Sequence, residues 1–331
     1  MHERWNRDRS KIEANHPPMF SAGLDSFIPP LPELSHESFQ YFNDENGNMV
    51  IQTDENYTRV LKVGSEPQYR PFAVLRQFDT NMIRNFILMA DDIKTDDLVI
   101  AKTAMPHRIL KEAEIMQVSR HPNVAELLDI AVCGNQAYLI IEWLPGGDLA
   151  NWIRNGNNLV SEVAAVFEQC AQAIDSVNKQ GYIYADTKPP NIMFSRKDTV
   201  KLIDFENCSQ IDAVDNSAPP SDFVTDKYAP PEQKNPFGDQ RLYLQTDVFS
   251  LAAVLYEMLT GNQDYLSDVD REHFVQGDSE LTVLEDYGKG ISSSQQRALT
   301  RLLRRALSKD YRQRHPNVRV LNEEVQSILI T

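Results

Sequence analysis

Cysteine is scarce in this chain. Cys133, Cys170 and Cys208 are the only three in 331 residues, and their odd number and wide spacing fit neither a disulfide framework nor a metal-ligand pattern. They read as buried or incidental thiols in a reducing compartment. Basic residues are also in deficit, with 33 Lys and Arg against 48 Asp and Glu and a formal charge of −15. Nucleic-acid affinity rests on clustered Lys and Arg, so no nucleic-acid partner is expected. A long apolar run is missing too, since the longest, LAAVLYEML at 251–259, is about half of a membrane span. The opening MHERWNRDRSK lacks the apolar core of a signal segment. A soluble, intracellular protein with no membrane span is the expectation.

The chain's organisation follows from its punctuation. Pro17, Pro18, Pro29, Pro30 and Pro32 break any long element near the start, so residues 1–66 read as an extension, partly disordered. Within it, alternating apolar residues flank Asn46-Gly47, a hairpin signal. From Tyr69 to Trp143 strand-like runs dominate: FAVLRQF, NFILMA, DLVIAK, ELLDIAVC and AYLIIEW. One helix interrupts them, HRILKEAEIMQVS, which opens after Pro106. Beyond Asp148 the period becomes helical. Val163, Val166, Phe167, Cys170, Ala173, Ile174 and Val177 form one stripe, and TDVFSLAAVLYEMLTG is apolar nearly all round, as a central buried helix would be. SSSQQRALTRLLRRALS and NVRVLNEEVQSIL supply two more amphipathic helices. The pattern predicts an α+β chain, a small β-rich part followed by a larger helical one.

The chemistry-bearing residues gather around GYIYADTKPPNIMF, residues 181–194. Asp186 and Asn191 sit on one short loop, and Asp204 follows the apolar strand VKLI. Two carboxylates and an amide converging from adjacent strand ends make an oxygen-rich site of the kind magnesium prefers. Upstream, Lys102 ends the strand LVIAK, where it can neutralise phosphate charge, and Glu112 on the next helix can hold that lysine.

In this order the residues resemble the protein kinase family, from Tyr69 to the C-terminus. VIAK gives Lys102 as the family's phosphate lysine, and Glu112, ahead of HPN at 121–123, matches its helix glutamate. YAD makes Asp186 the base that receives the substrate hydroxyl's proton, and Asn191 and Asp204 fall on the family's metal ligands. Lys188 resembles the lysine of serine/threonine kinases, and Thr225 the threonine that supports it. In IIEWLPGGDL the resemblance implies a hinge, with Glu142 and Leu144 toward adenine and Asp148 toward ribose; Ile100 and Met193 complete the nucleotide-binding set. YAPPEQ resembles the family's Ala-Pro-Glu, which pairs Glu232 with Arg314, and TDVFSLA resembles the buried helix whose Asp247 braces the catalytic loop. The implied architecture is a bilobal kinase-like domain over 67–331, with an N-lobe at 67–142, a hinge at 142–148 and a C-lobe at 148–331.

The pattern departs in places. FDTNMIRNF, where the family's phosphate-covering loop falls, has no glycine, and Asp79, Asn81 and Arg84 occupy the approximate glycine positions. Ile100 replaces an alanine above the adenine, and Glu206 stands where the family's Asp-Phe-Gly ends in glycine. Ala185 replaces an arginine that anchors a phosphorylated activation loop, so activation by loop phosphorylation is not expected. The short spacing between Lys102 and Glu112 predicts an abbreviated glutamate-bearing helix, with Glu114 as the alternative partner. Two functions stay open. One is an ATP- and Mg2+- (or Mn2+-) dependent serine/threonine protein kinase acting on a protein substrate. The other is a pseudokinase, a binding module that scaffolds a protein partner. A small-molecule kinase is disfavoured by Thr225, Tyr228 and Glu232, which resemble a peptide-docking segment.

Overall fold

The computed structural model describes residues 40–43, 49–53, 56–59, 61–63, 66–80, 83–104, 106–133, 136–155, 159–211, 227–234, 242–261 and 291–330. These fall into two compact units, one of Met1–Gln117 with Ala125–Gly146, the other of Val118–Val124 with Gly147–Thr331.

The first unit is β-rich. Strands β1 (Gln40–Asn43), β2 (Met49–Thr53) and β3 (Asn56–Arg59) form an antiparallel sheet in that order. Asn43 pairs with Met49, as the hairpin signal predicts, while the turn residues Asn46 and Gly47 lie outside the described residues. Six further strands close a barrel: β4 (Leu61–Val63), β5 (Glu66–Thr80), β6 (Ile83–Asp92), β7 (Leu98–Ala104), β8 (Leu127–Cys133) and β9 (Gln136–Glu142). The order around it is β4-β5-β6-β7-β9-β8, and closure leaves no edge strand unpaired. Period-2 alternation decides what faces in. Along β7, Val99, Ala101 and Thr103 are buried, and with Tyr69, Leu88, Ala90, Ala131, Tyr138 and Ile140 the first two form the barrel core. Each large side chain there contributes roughly 1.5–3 kcal/mol through burial. The same alternation turns Ile100 and Lys102 to the opposite face, where both are half-buried.

Helix α1 (Pro106–Val118) connects β7 to β8 and starts at a proline, whose fixed φ suits a first helical position. It runs 13 residues, so it is not abbreviated. The short spacing between Lys102 and Glu112 is taken up in the connection, since β7 ends at Ala104 and α1 begins at Pro106.

The second unit is mainly helical. Its elements are α2 (Leu149–Arg154), α3 (Val160–Lys179), β10 (Tyr182–Ile183), a 3-10 turn at Pro189–Asn191, β11 (Ile192–Phe194), β12 (Val200–Leu202), β13 (Ser209–Gln210), α4 (Pro231–Lys234), α5 (Leu244–Thr260), α6 (Ser293–Ala306) and α7 (Val318–Leu329). All seven stripe residues named for α3 are buried, and α5 is buried from Thr246 through Thr260. Side chains cap the helices: Asp148 accepts from Asn151 N at 2.8 Å, Ser292 from Gln295 N at 3.3 Å and Asn317 from Val320 N at 3.0 Å. Gly261, in the left-handed region at φ 61°, ends α5. Asn123 of HPN ties the segment before the barrel's β8 to β12, donating to Val200 O at 2.9 Å and accepting from Leu202 N through its carbonyl at 2.8 Å. Cys170 and Cys208 are buried, and burial pushes the Cys170 thiol up to about 12. Among the described residues, no helix is long and apolar enough to cross a membrane.

Candidate active site

In the β-rich unit the feature of interest is Lys102. Its Nζ lies 3.1 and 3.0 Å from the two carboxylate oxygens of Glu112. Glu112 sits in the buried stripe of α1 with Ile109, Ala113 and Met116, and its side chain is only 2% exposed. A carboxylate so placed is costly unless a cation meets it, which fixes the lysine's position. Glu114 is exposed, so α1 presents Glu112 to the barrel. In register, Ile100 pairs with Met89 and Ile141, and Lys102 with Ile87 and Leu139, so the half-buried lysine has an apolar surround. Glu142 N is bonded to Glu126 O at 3.1 Å, and Leu144 is buried. The glycine-free stretch is a strand pair whose backbone register runs on through Asp79↔Arg84 to Thr80↔Ile83; Asn81 lies outside the described residues.

In the helical unit Asp186 lies on the loop after β10 and Asp204 just after β12. Antiparallel pairing of Ile192 with Leu202 brings the start of β11 beside the end of β12, and Ile203 N donates to Asn191 O at 3.0 Å. Asn191 and Asp204 are therefore held at one end of a two-stranded ribbon. Asp204 has φ 62°, a left-handed conformation that costs a non-glycine residue free energy. Phe205 beside it is fully buried, edge-on to Tyr184 at 5.4 Å, and the Tyr184 hydroxyl donates to Ile203 O.

Asp186 Oδ2 accepts three hydrogen bonds, from Lys188 Nζ at 2.9 Å, Asn191 Nδ2 at 2.9 Å and Asn207 Nδ2 at 3.1 Å. Burial pushes this carboxyl above its ordinary value; Lys188 opposes that most strongly, Asp204 adds to it and Asn207 opposes it. The preceding residue, Ala185, is also left-handed, at φ 64°. Its N–H donates to Asp247 Oδ1 at 2.8 Å and its carbonyl accepts from Gln233 Nε2 at 2.8 Å. Asp247, fully buried on α5, takes two more donors on Oδ2, Tyr184 N at 3.0 Å and Asn178 Nδ2 at 2.8 Å. These bonds hold its carboxylate against a burial cost that pushes its pKa up.

Asp148 and Met193 are joined by a backbone bridge, and Oδ1 of Asp148 is engaged in capping α2. Glu232 and Arg314 form a two-pronged ion pair at 2.7 and 3.0 Å. Arg314 is buried, also donates to Ser308 O at 2.8 Å and Gln245 O at 3.0 Å, and stands 4.8 Å over the Phe249 ring. Thr225 lies outside the described residues. Sequence reasoning missed Asn207, Gln233 and Asn178. No spacing marks Asn207 or Gln233, because each acts by a side-chain bond to a loop distant in the chain, and Asn178 is marked by none either, its amide reaching Tyr182 O nearby and Asp247 on α5.

A Probable serine/threonine-protein kinase of Clostridium perfringens (strain 13 / Type A) is 27% identical over 250 residues, 73% of this chain and 34% of that protein. The Probable serine/threonine-protein kinase PknB of Lactococcus lactis is 24% identical over 246 residues, 72% of this chain and 36% of its own length. The human Hormonally up-regulated neu tumor-associated kinase is 33% identical over 177 residues, 51% of this chain and 24% of that protein. The chain thus spans about a third of the length of the two bacterial relatives. The protein kinase domain model matches residues 92–325. Because that match takes in most of the sequence, the chain belongs to the protein kinase domain family.

Proposed function

We propose that the chain transfers the γ-phosphoryl group of ATP to a serine or threonine hydroxyl of a protein. The observation that carries this reading is the Asp186 carboxylate. Its Oδ2 is held by three donors, while Oδ1 takes no hydrogen bond among the described residues and is left to receive one from an incoming hydroxyl. A scaffold has no need of a mostly buried acid next to a left-handed alanine, an arrangement that costs free energy and is retained where it serves a site. Lys188, 2.9 Å from Asp186, supplies positive charge where phosphoryl charge has to be stabilised. Lys102, steadied by Glu112, supplies more for the remaining phosphates.

The residues fit magnesium (or manganese). Asn191 turns its Nδ2 toward Asp186, donating to the backbone carbonyl at 3.0 Å and to Oδ2 at 2.9 Å, so its amide oxygen is the atom left for a cation. Asp204 adds carboxylate oxygens, and such hard donors suit Mg2+. When bound, magnesium-ATP supplies the phosphoryl donor, and the protein's share is positioning and charge neutralisation. The acidic charge supports a protein rather than a nucleic-acid partner, and a chain with only three, widely spaced cysteines fits a reducing, intracellular setting.

The test is transfer of label from γ-labelled ATP to generic protein substrates in Mg2+ or Mn2+, against an Asp186→Ala control. Equal incorporation by both proteins would remove the proposal. One observation favours a second reading, a pseudokinase scaffold: the β5–β6 pair, without glycine, runs in unbroken register from Arg76↔Ile87 to Thr80↔Ile83. If Mg2+-ATP fails to raise the melting temperature at saturating concentration, the scaffold reading replaces the first.

A further inference from the structure

We propose that Asn207 is a positioning residue for Asp186, its side-chain amide loading one carboxylate oxygen so that the other faces the acceptor hydroxyl. The inference rests on the reading of Asp186 as the residue that receives that hydroxyl. An ionised carboxylate can only accept hydrogen bonds, so the Nδ2 end of Asn207 is the end turned toward it, 3.1 Å from Oδ2. Lys188 and Asn191 reach the same oxygen from the 186–191 loop itself, and a carboxylate held only from its own loop could turn with that loop. Asn207 comes from a different segment, the turn that follows Asp204.

That turn is itself firmly placed. Phe205 and Cys208 are both fully buried, and Cys208 N bonds to Phe205 O at 3.2 Å. The chain then enters β13, where Ser209 pairs with Ile183 of β10, the strand that leads into the Asp186 loop. The amide of Asn207 is thus presented from a backbone anchored on both sides. It links the segment that carries Asp204 to the one that carries Asp186, so it ties the candidate metal ligand to the candidate base.

Three full-length variants test this, Asn207→Leu, Asn207→Asp and Asn207→Gln. A hydrogen bond to a charged group is worth roughly tenfold to a hundredfold in an equilibrium. Asn207→Leu is therefore expected to lower kcat by about tenfold or more, with the KM for ATP and the Mg2+-ATP thermal shift unchanged. Asn207→Asp, which removes the donor and sets a like charge against Asp186, is expected to lose more, and Asn207→Gln, which keeps an amide, to recover part of the rate. A folded Asn207→Leu protein with wild-type kcat would overturn the proposal, as would a loss confined to KM. A second readout does not depend on transfer: the 1H–15N signals of the Asn207 side-chain amide. They are expected to shift on Asp186→Ala. If the wild-type protein transfers no phosphate, the reading of Asp186 fails by itself, and the positioning claim stands or falls on whether those signals respond.

Discussion

Removing the Asp247 carboxylate should do more damage than any other single change near the Asp186 loop. It accepts from Ala185 N, Tyr184 N and Asn178 Nδ2 at 2.8, 3.0 and 2.8 Å, in a place with no water-accessible surface. Asp247→Ala strands three buried donors at about 1–3 kcal/mol each, for a total near 5 kcal/mol. That approaches the whole stability of many domains, so this variant is expected to populate unfolded forms of the helical unit at 25 °C. Asp247→Asn is isosteric. With its amide oxygen at the Oδ2 position it still accepts from Tyr184 and Asn178, and it loses only the bond to Ala185, at about 2 kcal/mol. Without that bond, Ala185 is released from a left-handed backbone that costs about 1–2 kcal/mol, and the neighbouring Asp186 moves with it. Asp247→Asn should therefore lose phosphoryl transfer out of proportion to its stability. Urea unfolding followed by far-UV circular dichroism gives the order, with m unchanged as the check that the unfolded state is the same. An Asp247→Ala protein within about 1 kcal/mol of wild type would refute the reasoning, since stranded buried donors carry at least that cost.

Arg314→Ala leaves Glu232 without its cation in a mostly buried place and should cost about 3–5 kcal/mol in urea, while Arg314→Lys, which cannot keep both prongs, should recover only part of this. His315 is fully buried, with Nε2 3.0 Å from Glu324 Oε2 and, among the described residues, no hydrogen bond at Nδ1. Burial lowers its pKa below the ordinary 6.5; Glu324 opposes the shift and Arg305 adds to it. The contact is thus a neutral imidazole donating to a carboxylate rather than an ion pair. Below the ordinary value the unfolded chain binds the proton more tightly, so stability present above pH 6.5 is lost as pH falls toward the folded pKa. Thermal melts from pH 7.5 to 5 should show that loss in wild type and less of it in His315→Gln; parallel curves would count against it. Ala185→Gly relieves a left-handed alanine and is expected to stabilise by about 0.5–1 kcal/mol after the entropy cost of glycine, readable as a rise in Tm.

What could be read from the sequence was whatever repeats with a period or stands at a fixed spacing. The stripe of α3, whose apolar residues add to one face, and α5, apolar nearly all round, announce buried helices. Lys102, Glu112, Asp186, Asn191, Asp204, Glu232 and Arg314 could be found because in type and order they resemble the motifs of the protein kinase family. The length of α1 was misjudged for a physical reason. A spacing between two residues does not say whether helix or connection absorbs a deletion, and a proline that can begin a helix at once lets the connection shrink to almost nothing. Asn207 and Gln233 were invisible because a single amide donating across the fold leaves no periodic trace.

The same amides bear on regulation. With Ala185 in place of arginine the loop has no guanidinium to grip a phosphorylated residue, yet it is not left slack. The Ala185 carbonyl is held by Gln233, the neighbour of Glu232, which Arg314 anchors through two charged bonds. The Ala185 N–H is held by Asp247. Both polar groups of one strained residue are thus satisfied by uncharged or permanently buried partners. No modification is needed to complete that set, because both backbone groups already have partners and the loop offers no arginine for a phosphate to order. A loop held this way should be in its working shape in the unmodified protein. Phosphatase treatment would then leave phosphoryl transfer unchanged, while Gln233→Ala, which frees the Ala185 carbonyl, would lower it.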